Sequence, residues 1–265
     1  FFFTKLLVNV KNKRILSLLF LISAAVLSAF LDALTVTAVL IAVAVGFYAL
    51  YQETNSNPEY FRVEANDISS TSETLQFQAF LRDLLMHGAV GTALGGVSTI
   101  VGEPQNLLIG SVAGWDFIEF FIRMLPISLP VFIFGLATCY LIERFKIFGY
   151  GAELSDNIRS IIENHGMEED KNRTSEQKTK LLVQFLVILI LIFSLAFNVA
   201  SVGLIGLMVI VLLTAFNGII EEHKIGKAFE EALPFTALLV VFFVIVAVIH
   251  CLLYTSPSPR DCRLS

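Results

Sequence analysis

The sequence predicts an all-α polytopic membrane protein, and three observations support this class. Hydrophobic residues make up 56% of the 265 positions and charged residues only 15%. The mean hydropathy is +0.77, far from the balance of soluble globular chains. Several apolar runs are also long enough to cross a bilayer. The net charge of −5 includes no long basic run, which argues against nucleic-acid binding.

The first apolar run covers residues 15–51 and follows four basic residues, Lys5, Lys11, Lys13 and Arg14. The positive-inside rule therefore places this start in the cytoplasm. As a single helix the run would be about 55 Å long, whereas a hydrocarbon core is about 30 Å thick. It must fold back, either as two full spans or as a re-entrant hairpin, and both alternatives end on the same side.

Asp32 places a carboxylate in the middle of this run. A charge at the bilayer centre costs about 2.5–3.5 kcal/mol, so we treat Asp32 as a candidate functional residue. The alternative is a helix-capping aspartate with a purely structural task. If the segment is helical, Ser28, Asp32 and Thr35 share one face. Their side chains then offer the oxygen ligands that hard cations prefer.

The polar segment 52–76 is predicted to be a loop, and an amphipathic helix then enters the membrane from residue 77. On this helix Asp83 and His87 lie one turn apart, which predicts a local polar pair on a solvent-facing side. Gly91 and Gly95 follow with the spacing that allows a second helix to pack closely.

Residues 102–106 predict an interruption of that helix at membrane depth, because Pro104 removes a backbone donor. The carbonyl groups freed there need protein, water or an ion as partner. We expect backbone carbonyls and the Asn106 amide oxygen to be available as ligands. Glu103 is either a second candidate acid or a structural turn residue. A buried acid beside a broken helix is typical of a cation transporter, and a proton and a sodium ion can compete for one carboxylate.

The remaining segments predict further membrane crossings. Residues 117–142 return to the starting side, and we expect bends at Pro126 and Pro130. The expected domain plan is a first-repeat portion 1–142 (hairpin 15–51, broken helix 77–112, span 117–142), a solvated cytoplasmic loop 143–180, a helix pair with the start of a second repeat at 181–250, and a tail 251–265.

The two ends of the chain predict an internal fragment. Phe1 is not an initiator methionine, and no signal peptide follows it. The Ser/Pro/Arg-rich tail 251–265 cannot continue a membrane span. It resembles adapter-derived peptides found at the ends of assembled reads, and we leave it out of the functional argument.

Three stretches together resemble the bacterial NhaB-type sodium/proton antiporter family of the ion-transporter superfamily: SAFLDALT at 28–35, VGEPQNL at 101–107 and GKAFEEALPFTAL at 226–238. The resemblance implies two inverted repeats, each with a re-entrant hairpin and an unwound helix. Residues 28–35 would form the first hairpin tip and 102–106 the first unwound segment. The second hairpin tip would lie beyond this chain.

The resemblance also implies a multi-pass protein of the bacterial inner membrane that expels sodium in exchange for external protons. Its partners would be sodium, protons and lipid, with no nucleic acid, no cofactor and no enzymatic activity, and its oligomeric state is left open. Asp32 and Asn106 are the candidate sodium ligands. The full set of candidate ion- and proton-binding residues is Ser28, Asp32, Thr35, Gly102, Glu103 and Asn106.

Three alternatives remain. An anion carrier of the same superfamily, such as an arsenite or dicarboxylate transporter, is disfavoured by the carboxylate of Asp32. An intramembrane hydrolase would need a second membrane aspartate or a Ser/His or HExxH set, none of which the sequence contains. A non-transporting scaffold would leave the cost of Asp32 and the broken helix unexplained.

Overall fold

The computed structural model describes residues 2–56, 67–219 and 221–255. These ranges contain α-helices and one short 3₁₀ turn at Ile147–Gly149, with no strand among them, which confirms the predicted all-α class. The helices are α1 (Phe2–Asn9), α2 (Lys13–Ser28), α3 (Ala33–Ser56), α4 (Asp67–Gly96), α5 (Pro104–Ala113), α6 (Phe117–Phe145), α7 (Asp156–Asn172), α8 (Ser175–Ala196), α9 (Val202–Asn217) and α10 (Glu222–Thr255).

Helices α2 and α4 run parallel and pack along each other. Lys13 contacts Asp83 at one end and Ala29 contacts Thr99 at the other, and both pairs are separated by 70 residues. Because the separation is constant, the two helices advance in the same direction and in register. They therefore end side by side.

Two glycines of α4 make this packing possible. A Cβ atom on Gly91 would lie 2.2 Å from the main-chain oxygen of Leu21, and one on Gly95 would lie 2.0 Å from that of Ala25. Neither distance leaves room for a side chain, so the backbones of α2 and α4 touch here. The predicted close packing at this glycine pair is confirmed.

Helix α3 runs back toward the start of α2. The Thr37 and Thr92 hydroxyls are 3.5 Å apart, whereas the Tyr51 hydroxyl is 3.2 Å from that of Thr74. As the residue number increases along α3, the number of its partner on α4 decreases, so these helices are antiparallel. The apolar run 15–51 folds back on itself, with its break after Ser28.

The helices extend further than the sequence predicted on both sides of the polar segment 52–76. Helix α3 continues to Ser56 and α4 begins at Asp67, while residues 57–66 of the predicted loop lie outside the described ranges. The two helices stay in contact here, because Tyr51 and Phe77 pack edge to face with ring centroids 5.2 Å apart and the Tyr51 hydroxyl reaches Thr74 in the added part of α4.

Helix α6 returns antiparallel to α4, which brings Glu143 near the start of α2. Two predictions are wrong at this end. Asp83 and His87 do not face solvent, since they are 0% and 2% exposed, and Glu143 is not part of a solvated loop, since it is 3% exposed. The polar groups of three helices converge here, although one carboxylate oxygen of Glu143 has no hydrogen-bond partner within the described ranges. Local spacing could not reveal this long-range pairing.

The predicted loop 143–180 contains helix α7. Ile158 and Ile162 are each 1% exposed and belong to the same apolar core as Leu7 and Tyr51. This segment is therefore only partly solvated, because the apolar side of α7 packs on α1 and α3.

Helices α8 and α9 form the next pair, and α10 bends by 42° around Pro234. Three described helices are long and apolar enough to cross a membrane, namely Ala33–Thr54 within α3, all of α6 and all of α8. The bent α10 would be a fourth. Helix α10 continues to Thr255, five residues past the predicted end at residue 250, and residues 256–265 of the tail lie outside the described part of the chain.

Candidate functional site

The candidate site lies where the two parallel helices stop. Helix α2 ends at Ser28 and α4 at Gly96, and the Thr99 hydroxyl donates a hydrogen bond to the main-chain oxygen of Ala29. A Cβ atom on Gly102 would lie 2.4 Å from the Gly96 oxygen and 2.7 Å from the Ser28 oxygen. Segment 97–103 therefore touches the backbone at the end of α2 and, through Thr99, at the start of segment 29–32.

This arrangement has a defined electrostatic character. The last carbonyl groups of a helix lack helical partners and give its C-terminus a partial negative charge. Because α2 and α4 are parallel, both C-termini lie at the same place. The N-termini of α3 and α5 begin at the same two breaks and carry partial positive charge, so it is the carboxylates of Asp32 and Glu103 that make the site favour a cation.

Asp32 caps helix α3. One carboxylate oxygen accepts a hydrogen bond from the Thr35 main-chain N–H at 2.9 Å, and the other accepts one from the Thr35 hydroxyl. Since α2 ends at Ser28 and α3 begins at Ala33, the segment is not one continuous helix. Ser28, Asp32 and Thr35 therefore do not share one helical face, as a helical segment would have required. Asp32 and Thr35 still act together, through the start of the following helix.

Ser28 lies on the other side of the break, toward α4. It is fully buried, and its hydroxyl has no hydrogen-bond partner among the described residues. The hydroxyl oxygen lies 3.1 Å from the point where a Cβ on Gly96 would be. A buried hydroxyl without a partner costs free energy, so Ser28 is a polar group with unused ligand capacity.

Glu103 directly precedes α5, whose first residue is Pro104. Its side chain makes no capping hydrogen bond to the helix, although one carboxylate oxygen accepts a 3.5 Å hydrogen bond from Gln105. One Glu103 carboxylate oxygen lies 3.1 Å from the point where a Cβ on Gly96 would be, as the Ser28 hydroxyl does. The fold thus brings Glu103 and Ser28 together at the end of α4, and Asp32 on the other break adds a weaker electrostatic influence on Glu103.

The Asn106 side-chain nitrogen has a structural role, and the ligand role of the amide oxygen stays a prediction. This nitrogen donates to the main-chain oxygens of Thr99 at 2.8 Å and Gly96 at 3.1 Å. The side chain is buried and stabilises carbonyl groups that the helix break frees. The freed carbonyl groups were predicted to need protein, water or an ion as partner. For Gly96 and Thr99 the partner is the Asn106 side chain, which stabilises the shape of the break.

Sequence reasoning missed Thr99. Its hydroxyl joins the two breaks, because it accepts from the Gly102 N–H at 3.2 Å while donating to Ala29. The available signal was a hydroxyl residue between a pair of glycines and a proline. Within the described ranges no group of three or more His, Cys, Asp and Glu side chains could hold a metal ion. The geometry instead offers two carboxylates, a hydroxyl and two helix ends.

Comparison with known proteins gives one consistent result. The family model for bacterial Na+/H+ antiporter B (NhaB) matches residues 1–258. Proteins named Na(+)/H(+) antiporter NhaB are 60% identical in Marinomonas sp. (strain MWYL1), 59% in Saccharophagus degradans and 55% in Pectobacterium atrosepticum. Each alignment covers 94% of this chain and 51%, 51% and 48% of the respective relative, so the chain spans about half their length. No solved structure matches the chain.

Proposed function

The chain belongs to the bacterial Na+/H+ antiporter B family, and on this premise we propose that it forms part of a secondary active transporter that exchanges cytoplasmic sodium for external protons. Since the chain spans about half the length of its relatives, the activity is proposed for the whole protein. The observation that carries this proposal is the contact between the two helix breaks, which together bear Ser28, Asp32 and Glu103.

The exchanging group in this proposal is Asp32. Two neighbouring carboxylates repel each other when both are ionised, and either a proton or a sodium ion removes that repulsion. Because the two ions use the same oxygens, they bind in turn rather than together. Thr35 holds the carboxylate in one orientation, so the same geometry serves both ions.

Further oxygen atoms would complete the coordination of sodium. The Ser28 hydroxyl and the backbone oxygens around Gly102 lie at the junction of the two breaks. Glu103 contributes the second negative charge. Asn106 acts as a positioning residue in this scheme, since its side-chain nitrogen donates to the Gly96 and Thr99 carbonyls.

The proposed architecture is one of two inverted repeats in the bacterial inner membrane. Helices α2 and α3 form the hairpin, and α4 and α5 form the broken helix. Helix α2 has 16 residues, or about 24 Å, which is shorter than a hydrocarbon core of about 30 Å. The short α2 fits a re-entrant segment, whereas α3, with 24 residues, is long enough to cross the membrane. The second half of the site belongs to the part of the protein beyond this chain.

An anion carrier is the second candidate function, and the same geometry argues against it. The carboxylates of Asp32 and Glu103 repel an anion. Transport assays with sodium, lithium and oxyanions in turn would separate the two candidates. Oxyanion uptake without sodium-dependent proton movement would favour the anion carrier.

The exchange proposal is tested with Asp32→Asn in a full-length antiporter that contains this sequence. Inside-out vesicles would report sodium-driven dissipation of a proton gradient. Asparagine caps a helix as well as aspartate does, so we expect a folded protein without exchange. Undiminished exchange would refute the role of Asp32.

The matched control is Asp116→Asn. Asp116 caps α6 in the same way, accepting the Glu119 main-chain N–H at 2.8 Å, but it is outside the two helix breaks. We expect normal exchange from this variant, so that a loss confined to Asp32→Asn reports the charge at the site and not the cap.

A further inference from the structure

Gly96 is the last residue of α4 and lies where the two helix breaks meet. Its backbone does not require a glycine, because its φ angle is not positive. Its surroundings also differ from those of Gly91 and Gly95, where a Cβ atom would lie 2.2 and 2.0 Å from a main-chain oxygen of α2. Close helix packing therefore accounts for those two glycines but not for Gly96.

Three oxygen atoms surround the point where a Cβ atom on Gly96 would lie. The Gly102 main-chain oxygen is 3.0 Å from this point, and Glu103 Oε1 and Ser28 Oγ are each 3.1 Å from it. These are the three nearest atoms outside the adjacent residues and the local helix backbone, and none of them is a carbon. We call this point with its three oxygens the Gly96 site.

The Ser28 hydroxyl is an independent indication of a ligand at the Gly96 site. Ser28 is 0% exposed, and its Oγ atom has no hydrogen-bond partner among the described residues. A buried polar group without a partner costs free energy. A ligand at the Gly96 site would remove this cost, because the hydroxyl lies directly beside that point.

Glu103 gives the Gly96 site its negative charge. Gln105 donates to one carboxylate oxygen, Oε2, at 3.5 Å, so the oxygen beside Gly96 is the other one. An ionised carboxylate and a main-chain carbonyl can only accept hydrogen bonds. Together with a hydroxyl they are the oxygen ligands that hard cations prefer. The Gly96 site therefore suits a cation and not an anion.

The three oxygens are held together by the contact between the two helix breaks. Ser28 ends α2, whereas Gly102 and Glu103 directly precede α5. The Thr99 hydroxyl donates to the Ala29 main-chain oxygen and accepts from the Gly102 N–H at 3.2 Å, so it holds Gly102 against the end of α2. Ligands that are already in place need little ordering when an ion binds, which favours binding.

We propose that Gly96 is a specificity-determining residue, which leaves room for one sodium ion bound directly by Ser28 Oγ, the Gly102 main-chain oxygen and Glu103 Oε1. This inference rests on the proposed function, because it takes sodium as the transported ion. It makes Glu103 a direct ligand and gives the ion a defined position at the end of α4. Asp32 on the other break influences Glu103 electrostatically, so an ion at the Gly96 site also offsets the charge of Asp32.

The test is the unfolding temperature of the purified full-length antiporter in detergent at one fixed pH, with sodium and with choline in its place. A bound ion raises the unfolding temperature of the folded state. In Gly96→Ala we expect this sodium-dependent rise to vanish, because the methyl group occupies the position of the ion. The value in choline should stay near that of the wild type, since contacts of 3.0–3.1 Å are far less severe than the 2.0 Å at Gly95. Gly46→Ala, with nothing within 4 Å of its Cβ, should keep both values. An undiminished rise in Gly96→Ala would refute the proposal.

Ser28→Ala and Glu103→Gln test the same site without added volume, and they decide the matter if Gly96→Ala does not fold. We expect the Kd for sodium, measured by calorimetry, to rise about fivefold without the hydroxyl and about tenfold without the charge. Ser128→Ala removes a buried hydroxyl on α6 and should bind sodium like the wild type. An unchanged Kd in either ligand variant would refute the proposal, even if Asp32→Asn loses exchange. If both Kd values rise while Asp32→Asn retains exchange, the proposed role of Asp32 alone fails.

Discussion

The main-chain N–H of Thr35 donates to the Asp32 carboxylate at 2.9 Å, and the Thr35 hydroxyl donates to the second carboxylate oxygen. One residue thus orients both oxygens of the acid. Because the cap needs an oxygen acceptor but no charge, its structural and its electrostatic roles can be separated by mutation.

Thr35→Val should weaken sodium binding without unfolding α3. The variant loses the hydroxyl that orients Asp32 but keeps the main-chain donor. A typical hydrogen bond contributes about 1 kcal/mol, so we expect about a fivefold rise in the sodium concentration for half-maximal exchange. Thr35→Ser, which retains a hydroxyl, should behave like the wild type. Equal values for valine and serine would show that the hydroxyl plays no part.

Gly95→Ala should destabilise the packing of α2 on α4. The new Cβ would lie 2.0 Å from the Ala25 main-chain oxygen, and overpacking of this kind costs about 1–3 kcal/mol. Thermal unfolding in detergent measures the effect. Gly46→Ala is the control, because nothing lies within 4 Å of a Cβ there. A wild-type unfolding temperature for Gly95→Ala would contradict the close approach of the helices.

Asn106→Asp should disrupt the broken helix. The substitution replaces a donor by an acceptor opposite the Gly96 and Thr99 carbonyls, and each buried group left without a partner costs about 1–3 kcal/mol. We expect lower thermal stability and loss of exchange. Asn217→Asp removes a similar side-chain hydrogen bond, to the Leu213 oxygen on α9, and should preserve exchange. Full activity of Asn106→Asp would show that the carbonyls do not need this donor.

Lys13→Met should destabilise the joint between α2, α4 and α6. It leaves Asp83 and Glu143 buried without their shared cation, and breaking a buried pair costs about 3–5 kcal/mol. Lys180→Met removes the exposed pair with Glu176 and should have no measurable effect on thermal unfolding. Similar unfolding temperatures for the two variants would contradict a stabilising role for Lys13.

The sequence allowed the local features of the fold to be predicted. The length of the run 15–51 required a fold-back, and the spacing of Gly91 and Gly95 indicated close helix packing. Pro104 indicated the interruption after α4. Each of these predictions needs only the backbone properties of one residue or the known thickness of a bilayer. The local sequence is therefore enough to make them.

Pairings between distant segments could not be predicted. The register of α2 on α4 brings the end of α2 at Ser28 beside the end of α4 at Gly96, and no local sequence pattern reveals that register. The same holds for Asp83. Its position on α4 predicted exposure to solvent, but α2 and α6 bring Lys13 and Glu143 to this place and the side chain is buried. The sequence likewise did not reveal that the Asn106 side-chain nitrogen donates to main-chain oxygens that the helix break frees.

Competition between sodium and protons at Asp32 is the central claim, and proton release on sodium binding tests it most directly. Sodium is titrated into the purified full-length antiporter in weakly buffered solution, and the protons released are measured with a pH indicator. We predict release from the wild type and from Asp116→Asn, and none from Asp32→Asn. Release from Asp32→Asn equal to that of the wild type would contradict the claim.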